Sequence, residues 1–162
     1  MGRKEAGGTP ATVALTRAGV SFQVHRYDHD PGTASYGEEA ADLLGVAPER
    51  VFKTLFATVD GRLVVGVVPV SGQLDLKALA SAVGGKKAAM AKPEEAERAT
   101  GYVVGGISPV GQKRAHPTVV DSSALSFETV FVSGGRRGMD LELSPRDLVE
   151  VTRATIDEIG RG

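Results

Sequence analysis

Residues 51–70, "VFKTLFATVDGRLVVGVVPV", constrain the fold more than any other stretch. Two runs rich in β-branched and aromatic residues flank Asp60-Gly61, a dipeptide suited to the two-residue turn of a β-hairpin. A long antiparallel hairpin is therefore predicted, and the remaining elements must cover it.

Helix punctuation marks those elements. "TPATVALTRAG" has Thr9 at an N-cap and Pro10 at the first helical position, and it closes on Gly19. "YGEEAADLLG" reads as a helix ended by Gly45, and "LDLKALASAVG" as one ended by Gly84, with Leu74, Leu76, Leu79, Ala80 and Val83 along one face. "KPEEAERATG" carries Pro93 at its start and Gly101 at its end, and "SPRDLVEVT" starts on Ser144-Pro145. "VSFQVHRYDHDP" alternates as a strand ended before Pro31, and "TVVD", "ETVFVSG" and "MDLELS" read as short strands. Hairpins occur together with crossovers, so the expected fold is α+β: one domain with a mixed, mostly antiparallel sheet flanked by helices. That domain is expected over residues 9–162, with residues 1–8 as a flexible leader.

Composition narrows the chemistry. A chain of 162 residues with 41% hydrophobic and 24% charged residues has the make-up of one ordinary globular domain. It contains no cysteine, which excludes disulfides, thiolate metal sites and a cysteine nucleophile. No apolar run approaches the roughly 18 residues of a membrane span, and "MGRKEAGGTP" has no hydrophobic stretch of the kind a secretory signal needs. No membrane partner and a cytoplasmic location are expected. A formal net charge of −1 argues against a generally basic nucleic-acid binder. Charge is nonetheless uneven: residues 28–50 carry a net −5 and residues 84–117 a net +3, which permits a confined contact with an anion.

"GYVVGGISPVGQKR", residues 101–114, is the densest glycine pattern and invites a phosphate reading. Gly106 and Gly111 have P-loop spacing, but Gln112 stands where the lysine belongs, Lys113 comes one position late with Arg114 in place of the hydroxyl residue after it, and "AHPTVV" follows instead of a helix. Metal is equally disfavoured. His25 and His29, read as one strand, would lie about 13 Å apart at about 3.3 Å per residue, and His116 sits in a loop before Pro117. No G-x-S-x-G elbow supports a serine triad, so Ser108 and Ser133 are ordinarily read as loop hydrogen-bonders. Lys53 interrupts an apolar run and shares strand parity with Val51 and Leu55. It is either an edge residue reaching water or a functional cation held in apolar surroundings. "VSGGRRGMD" leads from Ser133 into Gly134-Gly135 and then Arg136-Arg137. It reads as a turn with exposed arginines or as a second glycine wall facing a small ligand.

Taken together, "TPA" at 9–11, "YDHDP" at 27–31, "FKTL" at 52–55, "KKAAMA" at 86–91, "TGYVVGGISPVGQK" at 100–113 and "VSGGRRG" at 132–138 resemble the YbaK/EbsC-type aminoacyl-tRNA deacylases. These are free-standing relatives of the editing domain of prolyl-tRNA synthetase. The resemblance runs in order over roughly residues 9–150. It implies hydrolysis of mischarged aminoacyl-tRNA in trans, with cysteine on proline tRNA the usual substrate. Such editing exists because small apolar differences give a synthetase only about 1–3 kcal/mol of discrimination.

Carried over by motif, Lys53 is the family's essential lysine and would hold the terminal adenosine or its phosphate. Gly105, Gly106, Ile107, Ser108 and Pro109 match the family's G-x-x-x-P loop. Tyr27, Gly105, Ser133 and Asp140, with Gly134 beside them, fall on positions used around the aminoacyl group. Met139 before Asp140 is a minor departure. The family has no protein nucleophile; the thiol of a cysteinyl substrate is thought to attack its own carbonyl and release a thiolactone. No cofactor and no metal are implied. Lys86, Lys87, Lys113, Arg114, Arg136 and Arg137 are candidate tRNA contacts, and prolyl-tRNA synthetase is the implied partner. A deacylase specific for alanine on proline tRNA, or a non-catalytic module binding a tRNA end or small ligand, are the alternatives.

Overall fold

The computed structural model describes residues 8–162, so all but one residue of the expected leader lies outside the described residues. Helices α1 (Pro10–Arg17), α2 (Tyr36–Leu44), α3 (Leu76–Ala82), α4 (Pro93–Thr100) and α5 (Pro145–Thr152) alternate with ten strands. These are β1 (Gln23–Arg26), β2 (Phe52–Val59), β3 (Arg62–Pro69), β4 (Gln73–Leu74), β5 (Ala88–Met90), β6 (Thr118–Asp121), β7 (Val130–Ser133), β8 (Met139–Leu143), β9 (Thr155–Asp157) and β10 (Gly160–Arg161). The helix starts follow their caps. Thr9 and Thr12 form a reciprocal capping box, Ser35 accepts from Glu38 N–H, and the Ser144 hydroxyl accepts from Arg146 and Asp147 N–H.

Three sheets result, in strand orders β5-β2-β3-β6-β9, β1-β8-β7 and β10-β4. Only β3–β6 and β6–β9 pair in parallel. The hairpin forms as predicted: β2 and β3 pair from Phe52–Pro69 to Val59–Arg62, with Asp60 and Gly61 both at positive φ. The expected α+β, mostly antiparallel fold is the one observed.

Strand parity sorts the core. Phe52 and Phe56 of β2, with Val65 and Val67 of β3, pack against α1, α5 and the apolar side of the three-stranded sheet. Ala57, Val59, Val64 and Val68 face the other way, toward Leu79 and Ala80 of α3. Ala40 and Ala41 of α2 cover Val51 and Phe131 in a third cluster. The first two sheets touch through a single parallel bridge, Val51–Phe131. Beyond it β2 and β7 separate, and the next residues in phase are Lys53 and Ser133.

Two expectations fail: Leu74 lies in β4, ahead of the Asp75 cap, and not on the face of α3, and the first strand stops early. β1 ends at Arg26, so His29 does not share a strand with His25. His25 pairs with Glu142 at 2.9 Å, whereas His29 pairs with Glu39 at 2.8 Å.

Candidate active site

The fork between β2 and β7 opens into a cavity of about 320 Å³. It receives the first turn of α2, the stretch from Met90 into α4, and the loop carrying Gly105. Of the residues singled out from sequence, Tyr27, Lys53, Gly105, Ile107, Ser133 and Asp140 line it together. Gly106, Ser108, Pro109 and Gly134 are not among its lining residues.

Three of them, Gly106, Ser108 and Gly134, brace the walls. Ser108 is fully buried, and its hydroxyl accepts from Val110 N–H at 3.2 Å. Gly106 donates its N–H to the Val103 carbonyl at 2.8 Å. A Cβ on Gly106 would sit 2.7 Å from Arg136 Cα, so the two glycine-rich loops meet backbone to backbone. Gly134 donates to the Met139 carbonyl at 2.8 Å and accepts from the Thr9 hydroxyl at 2.6 Å. The N–H groups of Gly105 and Ile107, by contrast, carry no hydrogen bond among the described residues. Both residues line the cavity, which makes their N–H groups the loop's candidate donors for a carbonyl oxygen bound there.

Tyr36 fixes the first of these donors. Gly105 adopts φ +90°, and a Cβ there would meet the Tyr36 ring at 2.6 Å. Arg137 lies over that ring, with its guanidinium carbon 5.1 Å from the centroid, and donates Nε–H to the Val104 carbonyl at 2.8 Å. His29 stacks on the same ring at 5.6 Å. Tyr102, whose hydroxyl donates to the Val110 carbonyl at 2.7 Å, ties the far end of the loop. Tyr36 carries no local motif, and Tyr102 lies within "TGYVVGGISPVGQK", but only the packing reveals what each does.

The cavity's electrostatics divide along the fork. Asp140 is 5% exposed, and burial pushes its carboxyl up to about 7. Burial, then the charges of Asp140 and Glu39, raise the Tyr27 hydroxyl to about 12, so it remains a proton donor at neutral pH. Lys53 has no ion-pair partner among the described residues. Tyr27, Lys53, Ser133 and Asp140 give the cavity polar lining, with Ser35 and Tyr36, and Phe56, Ala91, Ala96 and Ile107 of one core cluster give it apolar lining. This arrangement offers a cation for an anionic or polar ligand end, two N–H donors for an oxyanion, and a small apolar chamber. No group of three or more His, Cys, Asp or Glu among the described residues could hold a metal ion.

The basic pairs are distributed around this site. Lys86 and Lys87 present their N–H groups to the Asp60 carboxylate at 3.0 Å, at the start of β5, whose other end, Met90, reaches the cavity. Lys113 is anchored by its N–H on the Thr100 carbonyl at 2.9 Å, with Arg114 next to it. Arg136 and Arg137 occupy the loop packed on Gly106. None of these six lines the cavity.

Comparison with known proteins agrees with this geometry. Residues 30–151 match the family described as the aminoacyl-tRNA editing domain. The chain is 41% identical over 124 residues, 75% of each protein, to EbsC of Enterococcus faecalis, named as a candidate Cys-tRNA(Pro)/Cys-tRNA(Cys) deacylase. It is 30% identical over 144 residues to the multifunctional Ser/Thr-tRNA deacylase ProXp-y of Escherichia coli, covering 86% of this chain and 84% of that one. A crystal structure described as a candidate trans-editing enzyme for prolyl tRNA synthetase superposes with a TM-score of 0.82 at 26% identity, covering 94% of this chain and 96% of the other. The chain therefore belongs to the aminoacyl-tRNA editing domain family, as its six ordered motifs indicated.

Proposed function

We propose that the protein is a trans-editing deacylase that removes cysteine from proline tRNA. The observation that carries this reading is the convergence of Lys53, the free N–H groups of Gly105 and Ile107, and the Tyr27–Ser133–Asp140 cluster on one small cavity. A volume of about 320 Å³ is at the lower end for ligand sites, which suits an aminoacyl group on a ribose. The 41% identity to EbsC supports cysteine as the amino acid.

Lys53 anchors the tRNA terminus through its cation. The Gly105 and Ile107 N–H groups receive the oxyanion as the carbonyl becomes tetrahedral, a contribution of about 10²–10³-fold per well-placed donor. The substrate thiol attacks that carbonyl: the new S–C bond closes a thiolactone, the ester C–O bond breaks, and the thiol proton ends on the departing ribose oxygen. Holding thiol and carbonyl in attack geometry adds an effective-molarity gain. Asp140, Tyr27 and Ser133 orient the aminoacyl group. The basic pairs meet the acceptor end of the tRNA, and prolyl-tRNA synthetase, in the cytoplasm, recruits the enzyme.

The test is deacylation of labelled Cys-, Ala- and Pro-tRNA(Pro) by catalytic amounts of protein. Preferential release of cysteine is expected, and Lys53→Ala should lower kcat/KM by about 10–100-fold, the worth of a hydrogen bond to a charged group. Preferential release of alanine would favour the alanine-specific alternative. Absence of release above buffer from every substrate would leave only a binding module.

A further inference from the structure

Among the described residues, one buried side-chain oxygen or nitrogen has no hydrogen-bond partner: Oγ1 of Thr54. Leaving a buried hydroxyl unpaired costs about 1–3 kcal/mol. Valine has the same shape and at least equal strand propensity, so packing alone gives no reason for a threonine here.

Thr54 lines the cavity, and the ladder places its backbone there too. Val70 N–H bonds the Val51 carbonyl at 2.7 Å, and Ala91 N–H bonds the Phe56 carbonyl at 3.0 Å. Antiparallel pairing alternates along a strand, so odd-numbered residues of this stretch bond β3, and even-numbered ones direct N–H and C=O to the opposite edge. On that edge β5 pairs only Ala57–Val59, and β7 touches only Val51. Thr54 falls in the gap between them.

Side-chain parity sets Thr54 between Phe52 and Phe56 and opposite Val67, on the face belonging to the apolar cluster. Phe56, Ala91, Ala96 and Ile107 of that cluster also line the cavity. Thr54 thus adds a single unpaired hydroxyl to this apolar lining, one residue along β2 from Lys53.

We propose that Thr54 is a specificity-determining residue, whose hydroxyl bonds the thiol or hydroxyl on the β-carbon of the bound aminoacyl group. This rests on the deacylase reading for the identity of the ligand. With the ester held by Lys53 and the Gly105 loop, the amino-acid side chain enters the apolar lining, where Thr54 Oγ1 has no partner of its own. Cysteine and serine satisfy that hydroxyl, whereas alanine buries it unpaired. A site built around a hydrogen bond discriminates against the analogue that lacks the partner more strongly than a purely apolar pocket does.

The test uses the full chain with three non-hydrolysable probes: the cysteinyl, seryl and alanyl amides of 3′-amino-3′-deoxyadenosine, titrated calorimetrically. Wild type should bind the first two about 10-fold or more tightly than the third. Thr54→Val should abolish that preference by weakening the cysteinyl and seryl probes, leaving the alanyl probe within about 2-fold. Thr54→Ser, which keeps the hydroxyl, should retain it. The proposal is overturned if wild type shows no preference or binds no probe, if Thr54→Val keeps the preference, or if both variants weaken all three probes together. Parallel deacylation of Cys- and Ser-tRNA(Pro) by wild type separates the two ideas. A protein that discriminates the probes without turnover refutes the hydrolase reading and leaves the role of Thr54 standing.

Discussion

The Val104 carbonyl accepts a 2.8 Å hydrogen bond from Nε of Arg137, joining residues that are 33 positions apart in sequence. Arg137 comes from the loop after β7, and Val104 immediately precedes Gly105. One arginine therefore couples the two glycine-rich loops and also covers the Tyr36 ring on which Gly105 rests. Removing it frees the carbonyl and loosens Gly105, the cavity-lining residue next to it.

Arg137→Ala is accordingly expected to lower kcat about 10-fold, with KM for aminoacyl-tRNA nearly unchanged, because a slightly displaced group costs reaction geometry more than binding. Arg137→Lys should not restore activity, since lysine has no Nε–H in that position and no planar face for the ring. A competing role, direct contact with tRNA phosphate, makes a different prediction. The loss would then fall on KM and shrink at high salt. Kinetics at two salt concentrations decide between them.

Gly105→Ala tests the same wall from the other side. At φ +90° an L-residue is strained by about 1–2 kcal/mol, and its Cβ would overlap the Tyr36 ring, 2.6 Å away. Rotation of the ring or of the loop must follow, and either moves the Gly105 N–H. Deacylation should fall by about 10²-fold, the worth of one oxyanion donor, while the melting temperature drops by only a few degrees. An alanine variant with unimpaired turnover would remove Gly105 from the proposed mechanism.

The division between what sequence exposes and what it hides follows from the range of the interactions. Asp60-Gly61, Thr9-Pro10, Ser144-Pro145, Gly45 and Gly101 act within a turn or a cap, and each marks an element found in the structure. β5 is invisible beforehand because "AAM" has weak strand preference; pairing with Ala57–Val59 imposes the conformation. The site divides in the same way. Lys53 stands out as a cation in an apolar run, and the glycines of the 105 loop as a local cluster. Tyr36 has ordinary sequence surroundings, and Thr54, within "FKTL", draws no notice beside Lys53. Their importance arises only when α2 closes over Gly105 and when β2 and β7 part beyond Val51–Phe131.

Asp140 should leave a signature in the pH dependence of stability. Its carboxyl is raised to about 7 in the folded protein by burial, whereas an unfolded aspartate titrates near 3.9. Between those values the folded state binds the extra proton. The contribution of Asp140 is thus fully present below about pH 4, declines as pH rises, and is lost above about pH 7. The isosteric Asp140→Asn cannot ionise. Urea unfolding of both proteins from pH 4.5 to 8 should show wild type losing on the order of 2–4 kcal/mol relative to the variant. Parallel curves would mean that the carboxyl titrates normally.

Asp121 offers a control in which stability changes and the site does not. It sits at the end of β6, is 5% exposed, and is not among the residues lining the candidate-site cavity. Its Oδ1 accepts from Ile159 N–H at 2.9 Å and Gly160 N–H at 2.7 Å, and its Oδ2 from Ser123 N–H at 3.2 Å and the Ser123 hydroxyl at 2.5 Å. One carboxylate thus pins the C-terminal segment, through which β10 pairs with β4 and Ile159 reaches the α3 side of the core. Asp121→Asn places an NH₂ where one pair of donors needs an acceptor, stranding N–H groups at about 1–3 kcal/mol each. A drop in melting temperature of about 5–12 °C follows for a chain of this size. Because Lys53, Gly105 and Thr54 are untouched, KM and kcat at a temperature where the variant is folded should equal those of wild type. An unchanged melting temperature would show that the C-terminal strand is held by its packing alone.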